Sequence, residues 1–148
     1  MVEPAYSPKY FKAQELVPKE LYELCGRGAL NVFDPAILKN LDRFRQFCGF
    51  PLFGNDWHKG GKFNYRGFRP VGLKPPESAI SSTHKRADTF DLVCRNRREL
   101  NMLVKRIKEY GKFFGIKRVE SFDVTVPRGY VHIVLTAELV DEIYYFNP

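Results

Sequence analysis

Apolar residues follow two different spacings along the chain, and the spacings predict different elements. Ile37, Leu38, Leu41, Phe44 and Phe47 recur every three or four residues, one face of a helix. Asp34-Pro35 starts that helix, with aspartate as N-cap and proline at the first helical position, and Gly49 ends it. Leu100, Leu103, Val104, Ile107 and Tyr110 repeat the pattern to about Phe114, ahead of Gly115. Asn96-Arg97-Arg98-Glu99 reads as the capping box of this second helix. Residues 6–24 read as two short helical pieces broken at Pro18, with Gly26 as a left-handed stop. Short apolar runs at 89–94, 118–126, 130–136 and 143–146 predict strands, and Pro51-Leu52-Phe53 predicts one more. Pro127-Arg128-Gly129 predicts a turn that makes 118–126 and 130–136 an antiparallel hairpin. Strands gathered late, with helices ahead of them, predict an α+β fold: a small, mainly antiparallel sheet backed by helices.

Between these elements, residues 54–76 are irregular and rich in Gly, Pro, Asn and Lys. A loop this long in a compact domain is usually functional or disordered. Trp57, Phe63, Tyr65 and Phe68 argue against disorder.

Composition narrows the class. The chain has 148 residues, 44% hydrophobic and 28% charged, which fits one soluble globular domain spanning 1–148. No apolar run approaches the roughly 20 residues that span a bilayer. The start, Met1-Val2-Glu3-Pro4, has neither the basic nor the apolar region of a signal peptide. Cys25, Cys48 and Cys94 are odd in number, scattered and in apolar contexts, so they read as free buried thiols. The net charge of +7 favours polyanions in general, although the densest basic cluster, Arg95 to Lys108, falls on the solvated face of a predicted helix.

The candidate chemistry lies in Ser82-Thr83-His84-Lys85-Arg86-Ala87-Asp88-Thr89-Phe90-Asp91. A polar loop holding His84 leads into an apolar strand holding Asp91. Imidazole nitrogen and carboxylate oxygen suit Zn²⁺, and a third ligand must come from elsewhere. The chain has three histidines, leaving His58 and His132. His132 is the better candidate, because it sits in the strand Tyr130-Val131-His132-Ile133-Val134-Leu135 and neighbouring strands can bring ligands together. Three such ligands leave a fourth position for water, as in catalytic zinc sites.

These residues resemble a known pattern. Ser82, His84 and Asp91 match the SxHxxGxAxD motif of the zinc D-Ala-D-Ala carboxypeptidase and L-alanyl-D-glutamate endopeptidase superfamily, with Ala87 and Thr89 at its Gly and Ala, and His132 as the distal histidine. Glu15-Leu16-Val17-Pro18, then Asn55-Asp56-Trp57-His58-Lys59-Gly60-Gly61-Lys62-Phe63-Asn64-Tyr65-Arg66-Gly67-Phe68-Arg69, then Phe146-Asn147-Pro148 resemble, in order, three further segments of a bacteriophage branch of it. The resemblance implies a Hedgehog/DD-peptidase-like fold with zinc on His84, Asp91 and His132. It implies that Arg69 anchors substrate or stabilises the transition state, and that Ser82 contacts substrate or braces its loop. The implied substrate is a peptidoglycan stem peptide. The implied setting is a phage-encoded protein made in the host cytoplasm, reaching the wall through a holin or carried in the virion.

The general base is the departure. Relatives carry an acid three residues before the distal histidine or two after it, and here those positions are Gly129 and Val134. Glu120, in Arg118-Val119-Glu120, is the chosen substitute; Asp123 falls on the opposite face of a regular strand, and Asp88 is a second candidate. His58 reads as a loop histidine, and Glu138, Asp141 and Glu142 as a solvated turn. Three functions compete: a zinc peptidase; a non-catalytic virion or wall-binding protein of the same fold, favoured by the missing acids; and a nucleic-acid binder, favoured only by charge and by the aromatics among Lys and Arg over 57–69.

Overall fold

The computed structural model of the protein describes residues 2–73 and 82–148, so the last three residues of the 54–76 loop lie outside the described residues. The fold is α+β, as the element order predicts. Helices α1 (Ala13–Leu16), α2 (Lys19–Cys25), α3 (Pro35–Cys48), α4 (Arg97–Tyr110) and α5 (Phe122–Thr125) accompany strands β1 (Thr89–Leu92), β2 (Ile116–Glu120), β3 (Val131–Leu135) and β4 (Tyr144–Phe146). The four strands form one sheet in the order β1-β3-β2-β4. β3 pairs antiparallel with β1 and β2, while β4 joins the outer side of β2 in parallel, so the sheet is mixed.

The two long helices begin and end where their capping residues stand. The Asp34 carboxylate accepts from the Ala36 N–H, Pro35 follows, and Gly49 closes α3. Asn96 accepts from the Glu99 N–H at the start of α4. The Glu99 carboxylate reaches back to Arg95, not to the cap residue, and takes both its N–H and its guanidinium. The apolar faces meet one side of the sheet. Leu38, Leu41 and Phe44 of α3, with Leu100, Leu103 and Ile107 of α4, share a buried cluster with Phe90, Leu92, Val119, Val131 and Ile133.

Three expectations are corrected. The run 118–126 is not one strand. β2 stops at Glu120, where the Ser121 N–H bonds Phe146 O; α5 and a 3₁₀ turn over Val126–Arg128 follow. Pro127 has no N–H to give a sheet ladder, so the chain coils there, and the tight hairpin becomes a longer helical connection. Gly26 does cap α2, at a positive φ of 58° though with ψ of −142°, and a 3₁₀ turn, Gly26–Val32, follows and buries Ala29 and Leu30. Residues 6–12 are not helical. Asp42 on α3 holds them instead, accepting from the Tyr6 hydroxyl at 2.7 Å and from the backbone N–H groups of Lys9 and Tyr10. Pro51-Leu52-Phe53 supplies a single bridge, Phe53 to Val93, rather than a strand. The three cysteines are free, Cys48 buried and the others half-buried, and burial pushes the Cys48 and Cys94 thiols up to about 12.

The long loop is ordered by the carbonyls of the early Glu15-Leu16-Val17 segment. Glu15 O accepts from the Asn55 N–H and Leu16 O from the Phe68 N–H. Val17 O accepts from Asn55 Nδ2 and from the Trp57 indole. Gly67 passes so close that a Cβ there would collide with the Leu16 carbonyl. Gly67→Ala is therefore expected to lower unfolding free energy by about 1–3 kcal/mol, the usual cost of forcing an atom into packed structure. Urea unfolding of both proteins measures it; an unchanged midpoint would mean that the loop is not held against residue 16.

Candidate metal centre

Each side chain of the centre is placed by a different piece of the chain. His84 sits in the 3₁₀ turn Thr83–Arg86, whose first N–H groups are capped by the Ser82 hydroxyl, 3.3 Å from His84 N. Ala87 ends that turn with φ of 58°, the only non-glycine residue at positive φ among the described residues. This is the position at which the resembled motif has glycine, and the left-handed backbone explains why glycine suits it. Asp91 lies on β1 and His132 on β3, directly paired across the two strands. Paired residues of an antiparallel ladder point to the same face, and this face is opposite the one that carries Phe90 and Ile133.

His84 is buried, with 1% of its side chain exposed, and its two ring nitrogens are in different situations. Nδ1 lies 2.8 Å from Gly67 O. A carbonyl only accepts, so Nδ1 carries the proton and Nε2 keeps its lone pair. That Nε2 is 3.3 Å from Asp91 Oδ2 but has no hydrogen-bond partner among the described residues. A buried polar atom left unpaired is rare and calls for a cause. An imidazole whose far nitrogen is fixed by a backbone carbonyl while the near one is bare is the arrangement of metal-binding histidines.

Asp91 is bracketed by cations or potential cations. His132 Nδ1 is 2.8 Å from Oδ1, and Arg69 Nη2 is 3.1 Å from Oδ2. Burial by itself would raise the Asp91 carboxyl, but the electrostatic influence of the neighbouring His84 and the hydrogen bond from His132 outweigh it and hold the group well below the usual carboxylate range. Asp91 is thus ionised and ready to ligate. The Phe146 ring stands edge-on to His132 with centroids 5.8 Å apart, and the two histidine rings are 4.9 Å apart. One ligand atom from each of His84, Asp91 and His132 lies within 4.8 Å of the others, so the three can hold a metal ion. Two nitrogens and one oxygen around a bare, buried Nε2 fit such an ion.

The remaining sequence candidates divide. Arg69 lines the same cleft and is tied down, with Nε donating to Tyr65 O at 2.7 Å and Nη1 3.5 Å from Ser82 Oγ. Ser82 therefore braces the His84 turn and Arg69 together. Glu120 continues the register one step beyond Val119–Ile133, opposite His132 and beside Phe146. Asp91, His132, Glu120 and Phe146 thus form one row across β1, β3, β2 and β4. Glu120 is 9% exposed, with no hydrogen-bond partner among the described residues. Asp88 is engaged by Thr89 Oγ1 and Arg86 Nε, and Asp123 is exposed on α5. His58 is outside the cluster and packs against Trp57.

Sequence reasoning missed the second wall of the site. A cleft of about 390 Å³ runs beside Asp91, lined on one side by Lys62, Phe63 and Arg66 and on the other by Arg128 and Tyr130. The Tyr130 phenol is shifted upward by burial, then by Asp91 and Glu120, with Arg128 opposing the shift. Position was the only available signal: Tyr130 is two residues before His132 and so shares its face of the strand.

No protein-family model matches the chain, and searches of curated proteins and of solved structures return no match.

The centre is expected to bind one equivalent of a divalent transition metal, read by elemental analysis after dialysis. His84→Ala should abolish stoichiometric binding, and a full equivalent retained in that variant would place the site elsewhere. Affinity should fall as the pH is lowered from about 7 to about 5, because protons compete with metal for both imidazoles.

Proposed function

We propose that this protein is a zinc-dependent peptidase of the bacteriophage type, acting on the stem peptides of peptidoglycan, with His84, Asp91 and His132 as the zinc ligands. The bare, buried Nε2 of His84, aimed at Asp91 beside an open cleft, is the observation that carries the reading. Two imidazoles and one carboxylate make a donor set suited to zinc with a position left open. The ordered motifs of the sequence support the substrate class and the phage setting. A bound zinc would supply Lewis acidity that polarises a peptide carbonyl and acidifies water.

The chain's own groups supply the rest. Gly67 O and Phe146 fix the planes of the two imidazoles. Arg69 holds Asp91 and presents permanent positive charge at the cleft, where an oxyanion would form. Glu120 is the proton carrier: it stands next to His132 in the cross-strand row, with no competing partner among the described residues. It would take a proton from the attacking water and deliver it to the leaving amine. Neither usual acid position carries an acid. Gly129 has φ of 91°, a conformation that an acidic side chain adopts only with strain, and Val134 is fully buried between Thr89 and Arg118.

A second reading rests on that same observation. Without an acid at 129 or 134 the protein would be a non-catalytic virion or wall-binding relative that keeps the fold. Digestion of purified cell walls, followed by release of new amino and carboxyl ends, separates the two. Glu120→Gln is expected to lower the rate about 10²–10⁴-fold, the usual worth of positioned acid–base catalysis, with zinc content unchanged. A silent Glu120→Gln, together with increased activity in Val134→Asp, would show that the proton carrier is missing. No release by the wild type or Val134→Asp would favour the non-catalytic reading.

A further inference from the structure

The cleft beside the metal centre is unusually one-sided in charge. Its lining holds Lys62, Arg66, Arg69 and Arg128, against a single carboxylate, Asp91. That carboxylate faces His84, His132 and Arg69, and so offers little negative charge to a ligand. The cations are not equivalent. Arg69 is committed internally, its Nε to Tyr65 O and its Nη2 to Asp91. Arg66 spends one nitrogen on Gly54 O and lays its guanidinium 3.6 Å from the centre of the Phe63 ring, which fixes the plane of the fork. Arg128 is exposed at the end of its 3₁₀ turn, beside Tyr130 in the lining of the cleft.

The sheet explains why these two arginines face one another across the cleft. Arg66 O accepts from the Asp91 N–H at 2.7 Å, so the 62–69 loop runs along the outer edge of β1. Tyr130 leads into β3 on the other side of β1. Asp91 and Val93 therefore form the floor, with Arg66 on one wall and Arg128 on the other. We infer that Arg66 and Arg128 are specificity-determining residues that read a carboxylate on the peptide bound in this cleft, while Arg69 acts as a positioning residue for Asp91. The inference rests on the peptidase reading for the word peptide and not for the charge. A guanidinium fork, held flat by stacking, pairs with a carboxylate through two parallel hydrogen bonds. A peptide suits this cleft better than a nucleic acid, because the cations surround one compact space, whereas single strands are followed by long grooves spanning several nucleotides.

The test uses the full chain and three acetylated, amidated tripeptides, Gly-Xaa-Gly with Xaa as Glu, Gln or Lys, titrated calorimetrically with zinc and again with chelator. The glutamate peptide is expected to bind about tenfold or more tighter than the glutamine peptide, with lysine weakest, since charge-assisted hydrogen bonds are about twice as strong as neutral ones. Arg128→Gln and Arg66→Met should each cut the Glu/Gln ratio severalfold, and Arg128→Lys should keep most of it. Unfolding curves of each variant show whether a loss is local. Equal affinities for Glu and Gln, no measurable binding of any peptide at millimolar concentration, or an unchanged ratio in both charge-removing variants would overturn the assignment. So would displacement of the glutamate peptide by a thymidine oligonucleotide at far lower concentration, which would make the cleft a polyanion site. A Glu preference that survives although no zinc binds would leave the assignment standing and remove the zinc reading alone.

Discussion

The hydrogen bond from His84 Nδ1 to the carbonyl of Gly67 is the contact on which the centre depends. It buries an imidazole whose second nitrogen then has nowhere to turn except toward Asp91. It also ties together segments far apart in sequence. Gly67 can lie there only because it has no Cβ to strike the Leu16 carbonyl, and its neighbour Phe68 donates to that same carbonyl. Leu16 is held in turn by its own helix and by the loop residues that bond Glu15 O and Val17 O. The early segment, the irregular loop and the histidine turn are therefore one mechanical unit. A perturbation at residue 16 or 67 should reach the metal ligands without touching them.

The sheet supplies the second constraint. Asp91 and His132 share a face only because β1 and β3 pair in one register, and a slip of one residue would turn either side chain into the helix-packed core. The core fixes that register from the other side. Phe90, Leu92, Val131 and Ile133 are at most 1% exposed, and no neighbouring register buries all four. The stability of the apolar face and the geometry of the polar face are thus the same fact seen from two sides. β4 extends the arrangement, placing Phe146 against His132 at the end of the row that Glu120 completes.

Much of this was legible in the sequence, and what was not has physical causes. The two long helices follow from their 3.6-residue periodicity and their caps, because local hydrogen bonds and one apolar face decide both. His84, Asp91 and His132 could be singled out because the chain has only three histidines and the run from Ser82 to Asp91 carries a known spacing; the structure brings the three within reach of one ion. The turn that converts 121–128 into helix was hidden, since Phe122, Val124 and Val126 alternate as a strand would; Ser121 and Pro127 override that alternation. The cleft wall was hidden for a different reason. Arg66 and Arg128 are 62 positions apart and face each other only through the pairing of β1 with β3 and with the loop, information that no local pattern contains.

The sheet also bears on whether the centre can be catalytic at all. Acid–base work needs a carboxylate near the ligands, yet residue 129 is locked in a left-handed turn end and residue 134 is packed between strands. The register of β2 on β3, continued one step beyond Val119–Ile133, brings position 120 opposite His132. Glutamate stands at that position, 9% exposed. Arg118, two residues earlier on the same strand, directs its guanidinium over the Tyr144 and Phe146 rings and forms no ion pair with Glu120 among the described residues. A carboxylate one strand from the ligands, on the face of the sheet that carries them, is what the proposed proton carrier requires.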